Sequence, residues 1–202
     1  MIAIIDYGSG NLKSVYNAFR YLGASARVCD KPAMLDKAEK IVFPGVGSSE
    51  DAIAGLKKRG MVEPMIGNIK NGKAFLGICL GLQLLFENSE ESGGTECMGL
   101  IKGNVPVFSK KKGLKIPQIG WNTVKIENKK CPLFRGIRDN SYFYFVHSYY
   151  AACKEKAVVA ASAEYGIKYT AAVWKDNLFA VQFHPERSQK NGLKLLDNFI
   201  KL

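Results

Sequence analysis

One cysteine of the chain lies between two glycines where two hydrophobic patterns meet. Residues 74–78 predict a short buried strand and residues 82–86 predict an apolar helix, so Cys79 falls at the corner between them. Gly77 and Gly81 suit the sharp strand-to-helix turn of a nucleophile elbow, where the packed backbone leaves no room for side chains. A helix N-terminus also favours thiolate over thiol. The pattern predicts a reactive cysteine, although a lone cysteine in an apolar run is usually an inert core residue.

The base for such a nucleophile must come from one of only two histidines, His147 and His184. The proline after His184 keeps that residue extended, and residues two apart in an extended chain point the same way. His184 and Glu186 are therefore presented together, with the carboxylate fixing the tautomer of the imidazole. We predict a triad of Cys79, His184 and Glu186, in a chain order unlike that of α/β-hydrolases. The alternative is a simple surface pair of histidine and glutamate.

The elements that must position these residues alternate in the first half of the chain. Predicted strands are Ile2–Ile5, Ala26–Cys29, 40–43 and 74–78. Predicted helices are 12–22, one that begins at Ser48, and Val62–Lys70. This order predicts a parallel sheet with a site at the carboxyl ends of its strands, where Asp6, residues 44–47 and Cys79 all fall. The glycines of 44–47 can aim backbone N–H groups at an anion, or they only make a turn.

The second half reads as a series of shorter strands, for which we expect partly antiparallel pairing. The predicted strands are 105–108, 122–126, 141–150, 157–161, 170–174 and 178–183. Ser188 is predicted to cap a final helix that carries Leu193, Leu196, Phe199 and Ile200.

Composition restricts the class of protein. The 202 residues suit one domain, residues 1–202, and the sequence offers neither a signal peptide nor a membrane span, so we expect a cytoplasmic protein without membrane contact. The net charge of +11 is spread over turns and helix ends, which argues against a nucleic-acid groove. Five cysteines without metal-type spacing argue against a disulfide framework and a metal site. Residues 8–10 begin a dinucleotide fingerprint, but Lys13 takes its third glycine position and a tight turn is the simpler account.

Taken together, the motifs at residues 77–83 and 182–186 resemble the class I glutamine amidotransferases, which are Cys-His-Glu glutaminases. Residues 5–12, 44–47, 117–122 and 145–149 more narrowly resemble the glutaminase subunits of imidazole glycerol phosphate synthases, which act in histidine biosynthesis. The resemblance spans essentially the full chain. It implies an α/β fold, a flavodoxin-like three-layer sandwich with a mixed, mainly parallel sheet, and no metal or organic cofactor.

The same resemblance implies roles for individual residues. Cys79 would attack the carboxamide of L-glutamine, while His184 would protonate the departing ammonia and then activate water, oriented by Glu186. The oxyanion would be held by backbone N–H groups of Leu80 and of the peptide formed by Val46 and Gly47. The residues expected to contact glutamine are Gln83, Glu91, His147, Ser148 and Tyr149.

A partner is implied as well: a separate cyclase subunit, a (β/α)8 barrel that forms a heterodimer with the glutaminase and takes up its ammonia. We expect four residues beside the site motifs to face it, namely Trp121, Asn122, Tyr144 and Arg187. Arg187 departs from the lysine usual in the family, and a planar guanidinium does not replace a flexible ammonium in detail. If the peptide of Val46 and Gly47 must turn to complete the oxyanion site, the isolated chain should be slow and accelerate with its liganded partner.

Three other functions compete with this one. A glutaminase of the same class could serve another synthase, for anthranilate, pyridoxal phosphate or a surface sugar. A cysteine hydrolase or peptidase with the same sandwich would cleave other amides. An inactive binding module would have an unreactive Cys79.

Overall fold

The computed structural model describes residues 1–8, 11–109 and 113–202. Within these ranges the chain forms six α-helices: α1 Leu12–Tyr21, α2 Pro32–Asp36, α3 Ser49–Lys58, α4 Val62–Lys70, α5 Leu80–Gln83 and α6 Gln189–Ile200. The strands are β1 Ile2–Ile5, β2 Ala26–Cys29, β3 Lys40–Gly45, β4 Ala74–Cys79, β5 Asn88–Ser89, β6 Thr95–Glu96, β7 Gly103–Val105, β8 Gln118–Ile126, β9 Ser141–His147, β10 Ala152–Cys153, β11 Val159–Glu164, β12 Lys168–Lys175 and β13 Leu178–Val181. The lysine run 110–112 and most of the turn at 8–10 lie outside the described residues.

A nine-stranded mixed sheet organises the molecule, in the order β2-β1-β3-β4-β13-β12-β11-β8-β9. The first five strands in this order, β2-β1-β3-β4-β13, run parallel to one another. The four remaining neighbour pairs, from β13 with β12 to β8 with β9, are antiparallel. A smaller sheet, β10-β7-β5-β6, lies beside it. The parallel half places the ends of β3, β4 and β13 next to one another, which is the edge where the sequence predicts the site.

Helices cover both faces of the parallel half. Side chains of α1 and α6, such as Phe19 and Phe199, pack with Ile4 on one face. Side chains of α2, α3 and α4 pack on the other face with Ile5, among them Leu56. Adjacent residues of β1 thus enter different cores, as expected for a strand buried on both sides. The structure confirms the predicted three-layer α/β sandwich.

The predicted elements of the first half agree with the structure, except after the cysteine. The helix there begins at Leu80 and lasts one turn, whereas 82–86 was the predicted range. Residues 84–86 continue as turns, with Leu85 N–H donating to the Leu82 carbonyl. Every residue from Leu80 to Phe86 is buried, so the apolar run reflects burial on all sides rather than one helical stripe.

Two details of the second half correct the prediction. Several strands are shifted by a few residues: β9 ends at His147 rather than at position 150, and β7 overlaps the predicted 105–108 only at Val105. Ser188 does precede α6, but its hydroxyl makes no cap bond. It donates instead to the His184 carbonyl at 2.6 Å and accepts the Tyr144 N–H at 2.9 Å, which ties the segment after β13 to β9. No helix of the described ranges is long and apolar enough to cross a membrane.

Candidate active site

Cys79 occupies the predicted sharp corner. It is the last residue of β4, and its φ of 55° and ψ of −105° lie in a region that non-glycine residues rarely adopt. A Cβ on Gly77 would lie 2.5 Å from the Gly81 carbonyl oxygen, and one on Gly81 would collide with the Phe43 carbonyl oxygen. Close backbone packing therefore requires both glycines. The structure confirms the sharp strand-to-helix turn that the sequence predicts at Cys79.

His184 reaches the same edge of the sheet from the neighbouring strand. Val181 at the end of β13 pairs with Ile78 in β4, so His184 follows a strand end directly beside Cys79. The His184 N–H donates to the Tyr144 carbonyl at 2.9 Å, and its Nδ1 lies 2.8 Å from Glu186 Oε1. Side chains 184 and 186 are only 4% and 1% exposed, which makes them a buried pair and excludes the alternative of a surface pair.

The charges around His184 favour its protonated form. Burial lowers the pKa of His184, but the negative charges of Cys79 and Glu186 outweigh burial and raise that pKa to about 10. Because Glu186 occupies Nδ1, Nε2 is the nitrogen left for the sulfur, and it has no hydrogen-bond partner within the described part of the chain. His184 is therefore an imidazolium beside the Cys79 sulfur, and it can give or take a proton at Nε2.

A cavity of about 280 Å³ opens beside the Cys79 sulfur. All the residues expected to hold the oxyanion or glutamine line it: Val46, Gly47, Leu80, Gln83, Glu91, His147, Ser148 and Tyr149. A larger groove, of about 950 Å³, lies between β10 and β12 and contains none of the predicted site residues. It is an open surface groove whose cysteine, Cys153, has a thiol pKa raised by burial, so the smaller cavity beside Cys79 is the candidate active site.

Two of the expected glutamine contacts are held by hydrogen bonds. Gln83 Nε2 donates to the Tyr149 carbonyl at 3.0 Å and to Gln182 Oε1 at 3.2 Å. Glu91 Oε2 accepts the N–H of Ser49, the first residue of α3, at 2.6 Å. Both side chains are thus fixed at the cavity wall before any ligand binds.

The two histidines have different environments. His147 is buried; its Nδ1 lies 2.7 Å from the Tyr149 carbonyl and its Nε2 lies 3.4 Å from the Tyr169 hydroxyl. Burial lowers the pKa of His147 to about 4, against the opposing effect of the bond to Tyr149. His147 is therefore a neutral wall of the cavity, which leaves His184 as the candidate base.

The loop that follows β3 is held by a tyrosine that the sequence did not indicate. The Tyr7 hydroxyl donates to the Val46 carbonyl at 2.6 Å and accepts the Val46 N–H at 2.9 Å. Tyr7 follows β1, and β3 lies between β1 and β4 in the sheet. The Val46 carbonyl belongs to the peptide between Val46 and Gly47, whose N–H is the predicted oxyanion donor, so this peptide can turn only by releasing its bond to Tyr7.

The residues predicted to face a partner separate into two groups. Trp121 in β8 lies opposite Tyr144 in β9, with their rings edge to face at 6.0 Å, and Trp121 is 46% exposed. Arg187 is exposed as well. Asn122 projects from the other face of β8, where its Nδ2 donates to the Glu164 carbonyl at 2.8 Å. Adjacent strand residues point to opposite faces, so Asn122 does not share the exposed face of Trp121, and a partner contact at Asn122 stays a prediction.

The exposed face of these two strands has further apolar members that the sequence reading missed. Ile119 is 62% exposed and Tyr142 is 59% exposed. Ile119 lies two residues before Trp121, and Tyr142 two before Tyr144, so strand alternation was the signal that could have found them. The contiguous exposed apolar face is typical of a protein–protein contact.

Comparison with known proteins places the chain in a family. The model of the glutamine amidotransferase class-I family matches residues 3–202, so the chain belongs to that family and is a glutamine amidotransferase. Two similar relatives are each named imidazole glycerol phosphate synthase subunit HisH. The protein from Syntrophotalea carbinolica is 48% identical over 204 residues, covering 98% of both chains. The one from Desulfitobacterium hafniense strain DCB-2 is 50% identical over 201 residues, covering 100% of this chain and 94% of the relative.

Solved structures agree on the fold. A crystal structure described as glutamine amidotransferase superposes with a TM-score of 0.77 at 17% identity, covering 100% of this chain and 98% of the other. The structure of PurLQS from Thermotoga maritima superposes with a TM-score of 0.78 at 22% identity, covering 99% of this chain and 97% of the other. At these identities the likeness is one of fold alone.

Proposed function

We propose that this chain is the glutaminase subunit of an imidazole glycerol phosphate synthase, built as one domain and working in the cytoplasm, where glutamine and phosphorylated precursors are metabolised. Support comes from the HisH subunits, which match it at nearly half of all positions over almost their whole length. The single observation that carries the chemistry is the position of Cys79 at a strained elbow beside the buried His184–Glu186 pair.

The reaction follows from these three residues. The Cys79 thiolate attacks the carboxamide carbon of glutamine, and the imidazolium of His184 gives its proton to the departing nitrogen, which leaves as ammonia. The thioester then accepts a water molecule whose proton passes to His184, and glutamate leaves as the thiolate is restored. Glutamine and water are thus converted to glutamate and ammonia. Glu186 keeps the imidazole oriented throughout.

The cavity suits a small substrate. Its volume of about 280 Å³ is near the lower end of small-molecule sites, roughly 300 to 1,000 Å³. A cavity of this small size favours a free amino acid over an extended peptide, and hence a glutaminase over a peptidase. Gln83 and Glu91 present fixed polar groups for the polar ends of glutamine, and His147, Ser148 and Tyr149 form the wall.

The partner in this proposal is a cyclase barrel that forms a heterodimer with the chain and receives ammonia. The exposed apolar face of β8 and β9, with Trp121 and Tyr144 at its centre, is the surface we assign to it. Strand β9 runs from this face to His147, which lines the cavity together with Ser148. A partner bound to the face would therefore lie close to the site of ammonia release. Arg187, exposed beside the pair of His184 and Glu186, would meet the same partner.

Regulation by the partner has a structural basis in the loop after β3. Tyr7 holds Val46 by its N–H and its carbonyl. A turn of the peptide between Val46 and Gly47 breaks the bond to the carbonyl, so binding of the liganded partner would have to favour the turned arrangement. We assign the observed loop to a slow state and the turned loop to the state that completes the oxyanion site. Glutamine hydrolysis should then be slow until the liganded cyclase binds.

Reconstitution tests the proposal. The chain is mixed with a cyclase subunit and its phosphorylated substrate, and the cyclase product is measured with either glutamine or ammonia as nitrogen source. We expect Cys79→Ala to abolish the glutamine-dependent reaction and to leave the ammonia-dependent reaction intact. Product formation that depends on glutamine with an anthranilate or pyridoxal phosphate synthase partner, but not with the cyclase, would overturn the assignment to histidine biosynthesis.

A further inference from the structure

A buried amide lies directly against the candidate nucleophile. Gln182, the residue after β13, has no solvent exposure, and its Nε2 lies 3.7 Å from Cys79 Sγ. Its Oε1 accepts a hydrogen bond from Gln83 Nε2 at 3.2 Å. We propose that Gln182 donates an N–H to the Cys79 sulfur and stabilises the thiolate, and that Gln83 fixes the orientation of this donor. The inference deepens the proposed glutaminase function and rests on it.

The orientation of the amide follows from its neighbours. A backbone carbonyl can only accept, so the group of Gln83 that faces the Tyr149 carbonyl must be its NH₂. The same NH₂ faces Gln182, which must therefore turn its oxygen toward Gln83 and its own NH₂ toward the sulfur. Reversing Gln182 would bring two donors together and place a carbonyl oxygen against a thiolate. The hydrogen bonds that run from the Tyr149 carbonyl through Gln83 to Gln182 thus leave an N–H of Gln182 directed at the Cys79 sulfur.

The other groups around the sulfur show what a neutral hydrogen-bond donor adds there. The Val146 carbonyl lies 3.8 Å from Cys79 Sγ, accepts from a thiol and repels a thiolate. Two titratable side chains interact electrostatically with Cys79, namely His184, whose positive charge attracts a thiolate, and Tyr7, whose hydroxyl is neutral. A hydrogen bond to the charged form favours that form. Gln182 is the neutral donor that complements His184 and remains in place when the imidazole gives up its proton.

Alkylation of Cys79 across pH tests the inference. Gln182→Met keeps the length of the side chain and removes the donor. The complex with the cyclase subunit is treated with iodoacetamide from about pH 5 to about pH 10, and the rate at each cysteine is read by peptide mass spectrometry, since the thiolate is the reactive form. We expect the rate–pH curve of Cys79 to move up by about one pH unit, which is about tenfold slower alkylation below its midpoint, with equal rates at the alkaline end.

Controls separate this role from a structural one. Gln118→Met alters another buried glutamine, whose Oε1 accepts from the Tyr169 hydroxyl, and should leave the curve of Cys79 unchanged. A Gln182→Met variant that alkylates at wild-type rates at every pH, or that differs equally at every pH, would overturn the donor role. Failure of wild-type Cys79 to alkylate at all would instead overturn the proposed function, so the two failures are distinguishable.

Discussion

Replacing Tyr7 by phenylalanine tests the proposed slow state of the loop. The variant keeps the ring, which packs edge to face against Phe43 with centroids 5.7 Å apart, and removes only the hydroxyl that binds Val46. Burial raises the pKa of Tyr7 to about 12, so the wild-type hydroxyl is neutral over the working pH range and acts by hydrogen bonding alone. The substitution therefore isolates the effect of two hydrogen bonds on one loop.

The size of the effect follows from those bonds. The peptide between Val46 and Gly47 turns by breaking only the bond to the Val46 carbonyl, and a neutral hydrogen bond contributes about 1 kcal/mol net. A change of that size shifts an equilibrium between two loop states by about fivefold. If the turned loop is the active one and is poorly populated in the isolated chain, Tyr7→Phe should raise the partner-free glutaminase rate by roughly fivefold, and reduce stimulation by the liganded cyclase by the same factor.

The assay is release of glutamate from glutamine, with and without the cyclase subunit and its ligand. Tyr165→Phe is the matched control, because it also removes a tyrosine hydroxyl bound to a backbone carbonyl, that of Lys115 at 2.7 Å, far along the chain from Val46. It should change neither rate. A Tyr7→Phe variant whose partner-free rate falls, or stays at the wild-type value, would refute the assignment of the observed loop to the slow state.

Four further predictions address the triad, the elbow, the buried histidine and the partner face. Glu186→Gln should lower the stimulated glutaminase rate by at least about 100-fold, since the imidazole loses its orienting charge; a drop below tenfold would contradict this role. Gly81→Ala should lower the free energy of unfolding in urea by about 3 kcal/mol, because its Cβ meets a backbone carbonyl, whereas Gly67→Ala, with open space inside α4, should raise it by about 0.5 kcal/mol. The pKa of His147 is about 4 in the folded chain and about 6.5 in the unfolded chain, so the unfolded chain binds the proton first as the pH falls. The wild type should therefore lose roughly 3 kcal/mol of stability between about pH 6.5 and pH 4, and His147→Asn should not show this loss. Trp121→Ala should weaken binding of the cyclase at least about tenfold by titration, with alkylation of the nucleophile unchanged; equal affinity would remove it from the interface.

The fold was predictable where a local pattern carries the information. Strand β1 and helix α4 have the bounds expected from the sequence, because their apolar periodicity is set by the faces they bury. The segment after Cys79 was less predictable, since a run that is buried on all sides has no polar face to reveal its period. The strand boundaries of the antiparallel half shifted because their ends depend on pairing with distant strands.

The site was predictable as far as chemistry and topology alone could specify it. A cysteine between glycines, and a histidine two residues before a glutamate, both follow parallel strands, so their meeting at one edge of the sheet could be expected. Tyr7 and Gln182 carried no such signal. Their partners Val46 and Cys79 lie 39 and 103 residues away, and only the packing of β1, β3, β4 and β13 brings them together. The grouping of Asn122 with Trp121 did not take account of the alternation of side chains along a strand.

The most direct test of the account is to locate the label left by a glutamine analogue that carries an electrophilic carbon in place of the carboxamide. The complex with the cyclase subunit is inactivated with this analogue, digested and mapped by mass spectrometry. The account predicts a single adduct on Cys79, formed in proportion to lost activity, prevented by glutamine and strongly slowed in His184→Ala. Inactivation with the label on another residue, or full glutaminase activity with Cys79 labelled, would contradict it.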